Sequence, residues 1–314
     1  MQVEQVDYQQ FVERNNILPD ESIYHFNQEE QNDFIDKKPW DNSPNYFKKC
    51  KISIAAVIKM LIHACLGKNN EVMGLMQGRC DKETFIIYDV IYLNAEASEV
   101  NVTLTPEAMG EYVQMIEMLE TVGRVHPTVG WYHSHPSYGC WLSGTDVQNQ
   151  RLQQMGYGAF VAVVIDPIRT MTNQKVDIGA FRVYPDGYRP LKQNQDENIG
   201  IPTQKIKDFG AYHDKYYSLD IEIFSNSIDS KIVQGLWERY WGVRLSQSIL
   251  EDNQLYFRQC LCDLKDKCFI KYEQSYQGSG QQNNEKQQIK EAQKFSVELA
   301  GALLSETVKQ ILFQ

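Results

Sequence analysis

The chain has 314 residues, with 41 acidic against 31 basic side chains and a formal net charge of −10. Because an acidic protein repels phosphate backbones, we expect no nucleic-acid partner. No stretch approaches the length of a membrane span, and the first residues lack a secretion signal, so we expect no membrane contact and a cytoplasmic and nuclear location.

The N-terminal part of the chain reads as an arm followed by the start of a compact domain. Residues 1–44 are rich in Gln, Asn, Asp and Glu, which predicts a loosely docked arm whose end is pinned by Trp40. Apolar residues at helical spacing predict a helix over 53–65. Residues 71–77 and 83–93 then predict a strand hairpin, followed by an acidic insert at 94–103 and a helix that begins at Thr105-Pro106.

The middle of the chain alternates strands with helices. Residues 129–132 and 159–166 are apolar runs typical of buried strands, and residues 175–184 predict a further strand. Residues 147–155 between them predict a helix. The pattern therefore predicts an α/β fold over residues 45–190, with helices packed around one sheet.

The C-terminal part is predicted to be helical. Residues 191–272 read as a connector and helical extension that includes a short strand over 219–223, where apolar and acidic residues alternate, and residues 273–288 read as a polar linker. Residues 289–314 carry an apolar stripe at helical spacing. This last helix either folds back onto its own domain or, as we prefer, bundles with other subunits, because an amphipathic helix must bury its stripe.

The segment from His133 to Asp146 carries the chemistry. Residues two apart in a strand face one side, so His133 and His135 can hold one metal ion after the strand at 129–132. Pro136 ends that strand, and Asp146 returns at the start of the next helix. Three protein ligands with a fourth position open to water are typical of a catalytic zinc site. By itself, however, a His-x-His pair also arises by chance.

The wider pattern is more specific. Glu71, then His133-x-His135-Pro, six residues, Ser143, two residues and Asp146 resembles the zinc isopeptidases of the JAMM, or MPN-plus, family. The resemblance implies a JAMM/MPN-type fold, cytidine-deaminase-like, with a central, mostly antiparallel sheet flanked by helices, and one zinc ion per chain. It implies His133, His135 and Asp146 as metal ligands, with Glu71 and Ser143 as catalytic residues.

Each catalytic assignment has a structural alternative. Glu71 would act as general acid and base on the attacking water and the departing lysine amine, but a salt bridge is commoner for a glutamate. Ser143 would donate to the oxyanion, or it would cap the helix that bears Asp146, or do both in turn. Cys140 lies in the same loop, where packing is the expected role because the histidines are committed to metal.

Longer stretches resemble one branch of that family, the catalytic fifth subunits of the COP-nine signalosome. They include Lys38-Pro-Trp40, Gly130-Trp-Tyr-His-Ser-His-Pro136 and Tyr184-Pro-Asp-Gly-Tyr-Arg-Pro190. The resemblance implies removal of the ubiquitin-like neddylation modifier from cullins. Its implied partners are other signalosome subunits, especially a second MPN-type subunit and a helical bundle.

The resemblance also implies that the isolated subunit is nearly silent. We expect Glu99, or else Glu96, of the acidic insert to reach the open metal position and act as an autoinhibitory residue. Ser137 stands where the family usually has Gly. If that position requires a positive φ, the serine carries some strain.

Three other readings compete with this one. A proteasome-lid-like deubiquitinase shares the stretches Gly130-Trp-Tyr-His-Ser-His-Pro136 and Gly139-Cys-Trp-Leu-Ser-Gly144 but lacks the Lys-Pro-Trp arm and the Asp208-Phe-Gly210 segment. A non-catalytic MPN scaffold is expected to lose metal ligands, and here none is lost. A barrel-type amidohydrolase needs later histidines, and only His213 follows His135.

Overall fold

We describe a computed structural model of the protein. It describes residues 10, 12–93, 106–121, 123, 126–173, 175–188, 201, 205–235, 254–276 and 283–313. Glu96 and Glu99, the predicted autoinhibitory residues, lie outside these ranges.

One mixed sheet organises the domain. Its strands are β1 Ile17–Pro19, β2 Lys49–Ser53, β3 Met73–Asp81, β4 Thr84–Leu93, β5 Thr128–Ser134, β6 Val161–Asp166, β7 Asp177–Val183 and β8 Tyr216–Ser225. They lie in the order β1-β8-β2-β4-β3-β5-β6-β7, and β8 also pairs with β7. The last pairing closes the sheet on itself, so that β1 is the one described strand outside the closed ring.

The predicted α/β class is confirmed, but the sheet is not mostly antiparallel. Among the described strands, four pairings are parallel and four are antiparallel. The reason is connectivity, since a helix follows β2 and another joins β5 to β6. Strands joined by a helical crossover can lie side by side in parallel, as β5 and β6 do, whereas the tight β3–β4 turn requires an antiparallel pair.

Helices cover both faces of the sheet. The described helices with complete bounds are α1 Gln28–Lys37, α2 Ile54–Gly67, α3 Pro106–Thr121, α4 Gly144–Tyr157, α5 Pro167–Asn173, α6 Ile206–Tyr212, α7 Gln254–Tyr276 and α8 Asn283–Phe313, and residues 227–235 are also helical. None of the described helices combines the length and apolarity that a membrane crossing requires. The predicted helix at 53–65 is confirmed as α2, whose N-cap Ser53 accepts a hydrogen bond from the Ala56 amide.

Two apolar clusters hold these layers together. One contains Tyr132 of β5 and packs the α2 side of the sheet, with Ala56, Val57 and Met60 of the helix. The other contains Trp131 and packs the opposite face against Val147 of α4. Because Trp131 and His133 are two residues apart, the histidine lies on the α4 face.

The predicted division of the chain differs from the structure at both ends of the domain. β8 comes from residues 216–225, which the sequence assigned to the connector, and β1 comes from the predicted arm. Trp40 is buried beside Phe47, as expected of the residue that pins the arm. The tract at 273–288 is helical up to Tyr276 and again from Asn283, because Gln- and Lys-rich sequence forms helix as readily as linker.

Part of the apolar face of the last helix, α8, packs against the chain itself. Phe295, Leu299 and Ala302 of α8 pack against Tyr256 and Phe257 of α7. Other apolar residues of α8 remain exposed, namely Ile289, Val297, Leu303 and Leu304. The described helix therefore folds back on one side and leaves apolar surface on another.

Candidate metal centre and active site

Strand β5 carries the two histidines into the interior. In the register of the sheet, Met73 of β3 lies opposite His133, and the amide of His135 donates to Ile165 of β6 at 2.9 Å. Both imidazoles are almost completely buried. Their Nε2 atoms lie 3.0 Å apart, so the two rings converge as the His-x-His spacing predicts.

Asp146 reaches the same point from the first turn of α4. Ser143 caps this helix: its hydroxyl accepts from the Asp146 amide at 3.2 Å, and its own amide donates to Asp146 Oδ2 at 2.8 Å. This capping box fixes the carboxylate at the helix N-terminus. Asp146 Oδ2 lies 3.5 Å from His133 Nε2.

These three donors fit a zinc ion. A tetrahedral ion about 2.0–2.1 Å from each ligand separates neighbouring donor atoms by about 3.3 Å. The 3.0 Å and 3.5 Å separations bracket that value, and all three donor atoms lie within 4.8 Å of one another. Two imidazole nitrogens and a carboxylate oxygen are also the donor types that zinc prefers.

The hydrogen bonds around His135 set its tautomer. Its Nδ1 lies 2.8 Å from the Gly139 carbonyl oxygen, which can only accept, so Nδ1 carries the proton. The lone pair of Nε2 therefore faces the other two donors. For His133 Nδ1, no partner lies within reach among the described residues.

The orientation of His133 comes instead from Trp131. The two rings are stacked, with centroids 4.6 Å apart and planes 15° apart. Trp131 Nε1 donates to the fully buried Gln150 Oε1 at 2.8 Å. The Gln150 side chain on α4 thus fixes the Trp131 ring, and His133 packs against that ring.

Glu71 lies immediately before β3, at the edge of this cluster. Its neighbour Val72 exchanges two 3.0 Å hydrogen bonds with Ser134, which ties the segment to β5. Glu71 Oε1 accepts a hydrogen bond from the hydroxyl of Tyr138, whose ring stacks on His135 with centroids 4.4 Å apart. This bond holds one carboxylate oxygen, and the described residues provide no hydrogen bond to the other.

Charges in the cluster shift the pKa values in opposite directions. Burial lowers the pKa of His133, but the carboxylates of Asp146 and Glu71 outweigh it and raise the pKa above its ordinary value. Burial, reinforced by the charge of His133, lowers the pKa of His135 to about 3. Asp146 pairs with His133, which depresses its pKa despite burial. Burial raises the pKa of Glu71.

The structure brings together all five predicted site residues. Ser143 fulfils the capping alternative, since its hydroxyl accepts from the Asp146 amide, and the same hydroxyl donates to Asp146 Oδ2 at 2.6 Å. Ser137 has a φ of 78°, so the position that is usually Gly in the family does adopt the left-handed backbone.

Sequence reasoning missed several residues that support the site. They are Trp131, Tyr138, Gln150, Asp166, Arg169 and Lys205. One signal was available for Asp166: an acidic residue that ends a buried strand and precedes Pro167 marks a helix cap. The others depend on contacts between distant segments, such as Lys205 Nζ 5.2 Å from the centre of the Tyr138 ring.

Comparison with known proteins yields a consistent set of relatives. A family profile described as JAB1/Mov34/MPN/PAD-1 ubiquitin protease matches residues 45–157. The chain is 46% identical to COP9 signalosome complex subunit 5 of Caenorhabditis elegans, over 81% of this chain and 69% of that protein. It is 39% identical to subunit 5 of Drosophila melanogaster, over 95% and 94% of the two chains. With subunit 5a of Arabidopsis thaliana the identity is 40%, over 95% and 89%.

Proposed function

This chain belongs to the JAB1/Mov34/MPN/PAD-1 family and, within it, to the COP9 signalosome subunit 5 proteins, and from that premise we propose that it is a zinc-dependent isopeptidase. In this proposal it is the catalytic subunit of the signalosome and removes the ubiquitin-like neddylation modifier from cullins. Its partners are the other signalosome subunits, and neddylated cullins are its substrates.

A single observation supports this proposal best. The side chains of His133, His135 and Asp146 converge from β5, the loop after it and α4, with a carboxylate, Glu71, beside them. A scaffold protein needs no such convergence of buried polar groups, which is costly unless the groups are paired or bind a ligand. The arrangement therefore favours a hydrolase over an assembly platform.

The two histidines and Asp146 would hold the ion. Zinc, when bound there, polarises a carbonyl oxygen and lowers the pKa of a coordinated water to about 7. The chain supplies what surrounds it: Gly139 keeps the lone pair of His135 facing inward, and the α4 cap keeps Asp146 in place. Both groups are set by backbone contacts, so the site needs little reorganisation.

Glu71 moves the protons. With one oxygen held by Tyr138, its other oxygen accepts a proton from the attacking water. The same carboxylic acid then delivers that proton to the lysine amine as the C–N bond breaks. Burial in a partly closed site favours the transient neutral form, in keeping with the raised pKa of Glu71.

Ser143 is the proposed donor to the oxyanion. Its hydroxyl bonds to Asp146 Oδ2 in the structure, so it must rotate away to reach a substrate oxygen. Removing a donor of this kind costs about 3 kcal/mol of transition-state stabilisation in other hydrolases. We therefore expect Ser143→Ala to lose both rate and part of the α4 cap.

One experiment tests the proposed function. The full chain, alone and assembled with signalosome subunits, is offered cullin conjugates of the neddylation modifier and, separately, ubiquitin chains. We expect assembled protein to cleave the cullin conjugate, with the activity lost on chelation and restored by zinc. Cleavage of ubiquitin chains alone would favour the deubiquitinase alternative. No cleavage by a zinc-loaded, assembled protein would favour the scaffold.

A further inference from the structure

A buried ion pair lies beneath the loop that joins the two histidines to α4. Asp166, the last residue of β6, is completely buried, and Arg169 is 7% exposed. Asp166 Oδ2 lies 3.4 Å from Arg169 Nε, and Asp166 Oδ1 accepts from the Arg169 amide at 2.9 Å, which caps α5. A helix cap requires only one of these carboxylate oxygens.

The pair also binds the backbone of the loop. Asp166 accepts from the amide of Ser137 at 3.1 Å and from the amide of Gly139 at 2.9 Å. Arg169 Nε donates to the Ser137 carbonyl at 3.3 Å. Ser137 and Gly139 have φ values of 78° and 82°, and these left-handed turns direct both amides towards the carboxylate.

The same loop residue orients a candidate metal ligand. Gly139 donates through its amide to Asp166 and accepts through its carbonyl from His135 Nδ1 at 2.8 Å. The position of that carbonyl therefore depends on the buried pair. A Cβ at residue 139 would lie 2.8 Å from Arg169 Nη1, so the loop and the guanidinium are in close contact.

We propose that Asp166 and Arg169 are positioning residues that set the ring orientation and tautomer of His135 through Gly139, and thereby the affinity of the metal centre. This inference rests on the proposed zinc site. Burial raises the pKa of Asp166 to about 6, against the pull of Arg169, so the carboxylate is ionised at neutral pH. An asparagine at position 166 could accept from the amide of Ser137 or from that of Gly139, but not from both through separate oxygens, because one of its two terminal atoms is a nitrogen donor.

The test compares matched variants of the full chain. Asp166→Asn removes the charge and one acceptor with little change in volume. Asp89→Asn is the control, since Asp89 is also buried and lies 2.6 Å from Lys59, but it belongs to β4. Arg169→Lys keeps a cation and removes the donor to Ser137. For each, zinc affinity is measured by competition with a chelator, and the cobalt-substituted protein is examined by visible absorption.

We expect Asp166→Asn to bind zinc 10–100-fold more weakly than the parent chain, the range typical of such contacts to metal ligands. Its cobalt spectrum should show weaker tetrahedral bands, while Asp89→Asn keeps parental affinity and spectrum. Thermal unfolding of the metal-free proteins separates general destabilisation from this effect. If Asp166→Asn does not fold, Arg169→Lys tests the proposal instead, and we expect its zinc affinity to be at least several-fold weaker than that of the parent chain.

Two results have different meanings. A folded Asp166→Asn, or in its absence Arg169→Lys, with zinc affinity within twofold of the parent overturns the positioning role and leaves the proposed function intact. A parent chain that binds no zinc overturns the proposed function itself.

Discussion

Gln150 offers a quantitative test of how α4 supports the site. The fully buried side chain accepts from Trp131 Nε1 at 2.8 Å and donates to the Phe160 carbonyl at 2.8 Å and to Gln154 Oε1 at 2.9 Å. Gln150→Leu removes all three bonds. Trp131 in turn stacks on His133, so the substitution acts on a candidate ligand without touching it.

The expected magnitude follows from what each former partner retains. The Phe160 carbonyl still accepts from Arg182 at 2.7 Å, and Gln154 Oε1 still accepts from the Val183 amide at 2.9 Å. Only the indole N–H of Trp131 is left without its acceptor. An unsatisfied buried donor costs about 1–3 kcal/mol, so we expect a loss of about 2 kcal/mol in the free energy of unfolding.

Thermal unfolding of the metal-free chain measures this loss. For a chain of 314 residues, about 2 kcal/mol corresponds to a decrease in Tm of roughly 3 °C. The matched background is Trp131→Phe, which has no indole N–H that could lose its acceptor. Adding Gln150→Leu in that background should therefore lower the free energy of unfolding much less. Equal destabilisation in both backgrounds would refute the hydrogen-bond reasoning.

Three further predictions concern the site itself. Tyr138→Phe removes the donor to Glu71, and we expect kcat to fall roughly 10–100-fold, as the ~1.5–3 kcal/mol of a hydrogen bond to a charged group implies, with KM and zinc content retained. An unchanged kcat would contradict the role of Tyr138. The pKa of His133 is raised, while that of His135 is about 3. At pH values below the pKa of His133, zinc binding should therefore displace about one proton, and the zinc affinity in that range should rise about tenfold per pH unit. Calorimetry in buffers of different ionisation enthalpy checks this number, and release of two protons would show that His135 is also charged. Glu99→Ala should raise the basal turnover of a small substrate by the isolated chain if that glutamate is autoinhibitory, and unchanged turnover would remove support for the idea.

The fold was predictable where short-range patterns determine it. The capped apolar helix after Ser53 and the strands around the motif follow from local periodicity and turn residues, and the structure contains them. The closing strand β8 was predicted only as a short strand over 219–223 within the connector, and its place in the sheet was not predicted. Its partners, β1, β2 and β7, are far away in sequence, and pairings of that kind leave no local signal.

The sequence predicts that the three candidate ligands lie close together, but not the residues that support them. The shared direction of His133 and His135 follows from the period of two in a strand, and Asp146 from its place at the start of the next helix. Tyr138 and Asp166 act through hydrogen bonds to residues 67 and 27 positions away, respectively. Such contacts depend on how the strands are ordered, which the spacing of residues along the chain does not determine.

The most direct measurement is the zinc content of purified full-length variants, determined by elemental analysis after removal of loosely bound metal. We predict one zinc per chain for the parent and for Glu71→Gln, and none for His133→Ala or Asp146→Asn, with the cullin-conjugate cleavage of the assembled protein lost in all three variants. A His133→Ala chain that retains a full equivalent of zinc would contradict the convergence of these ligands on one ion.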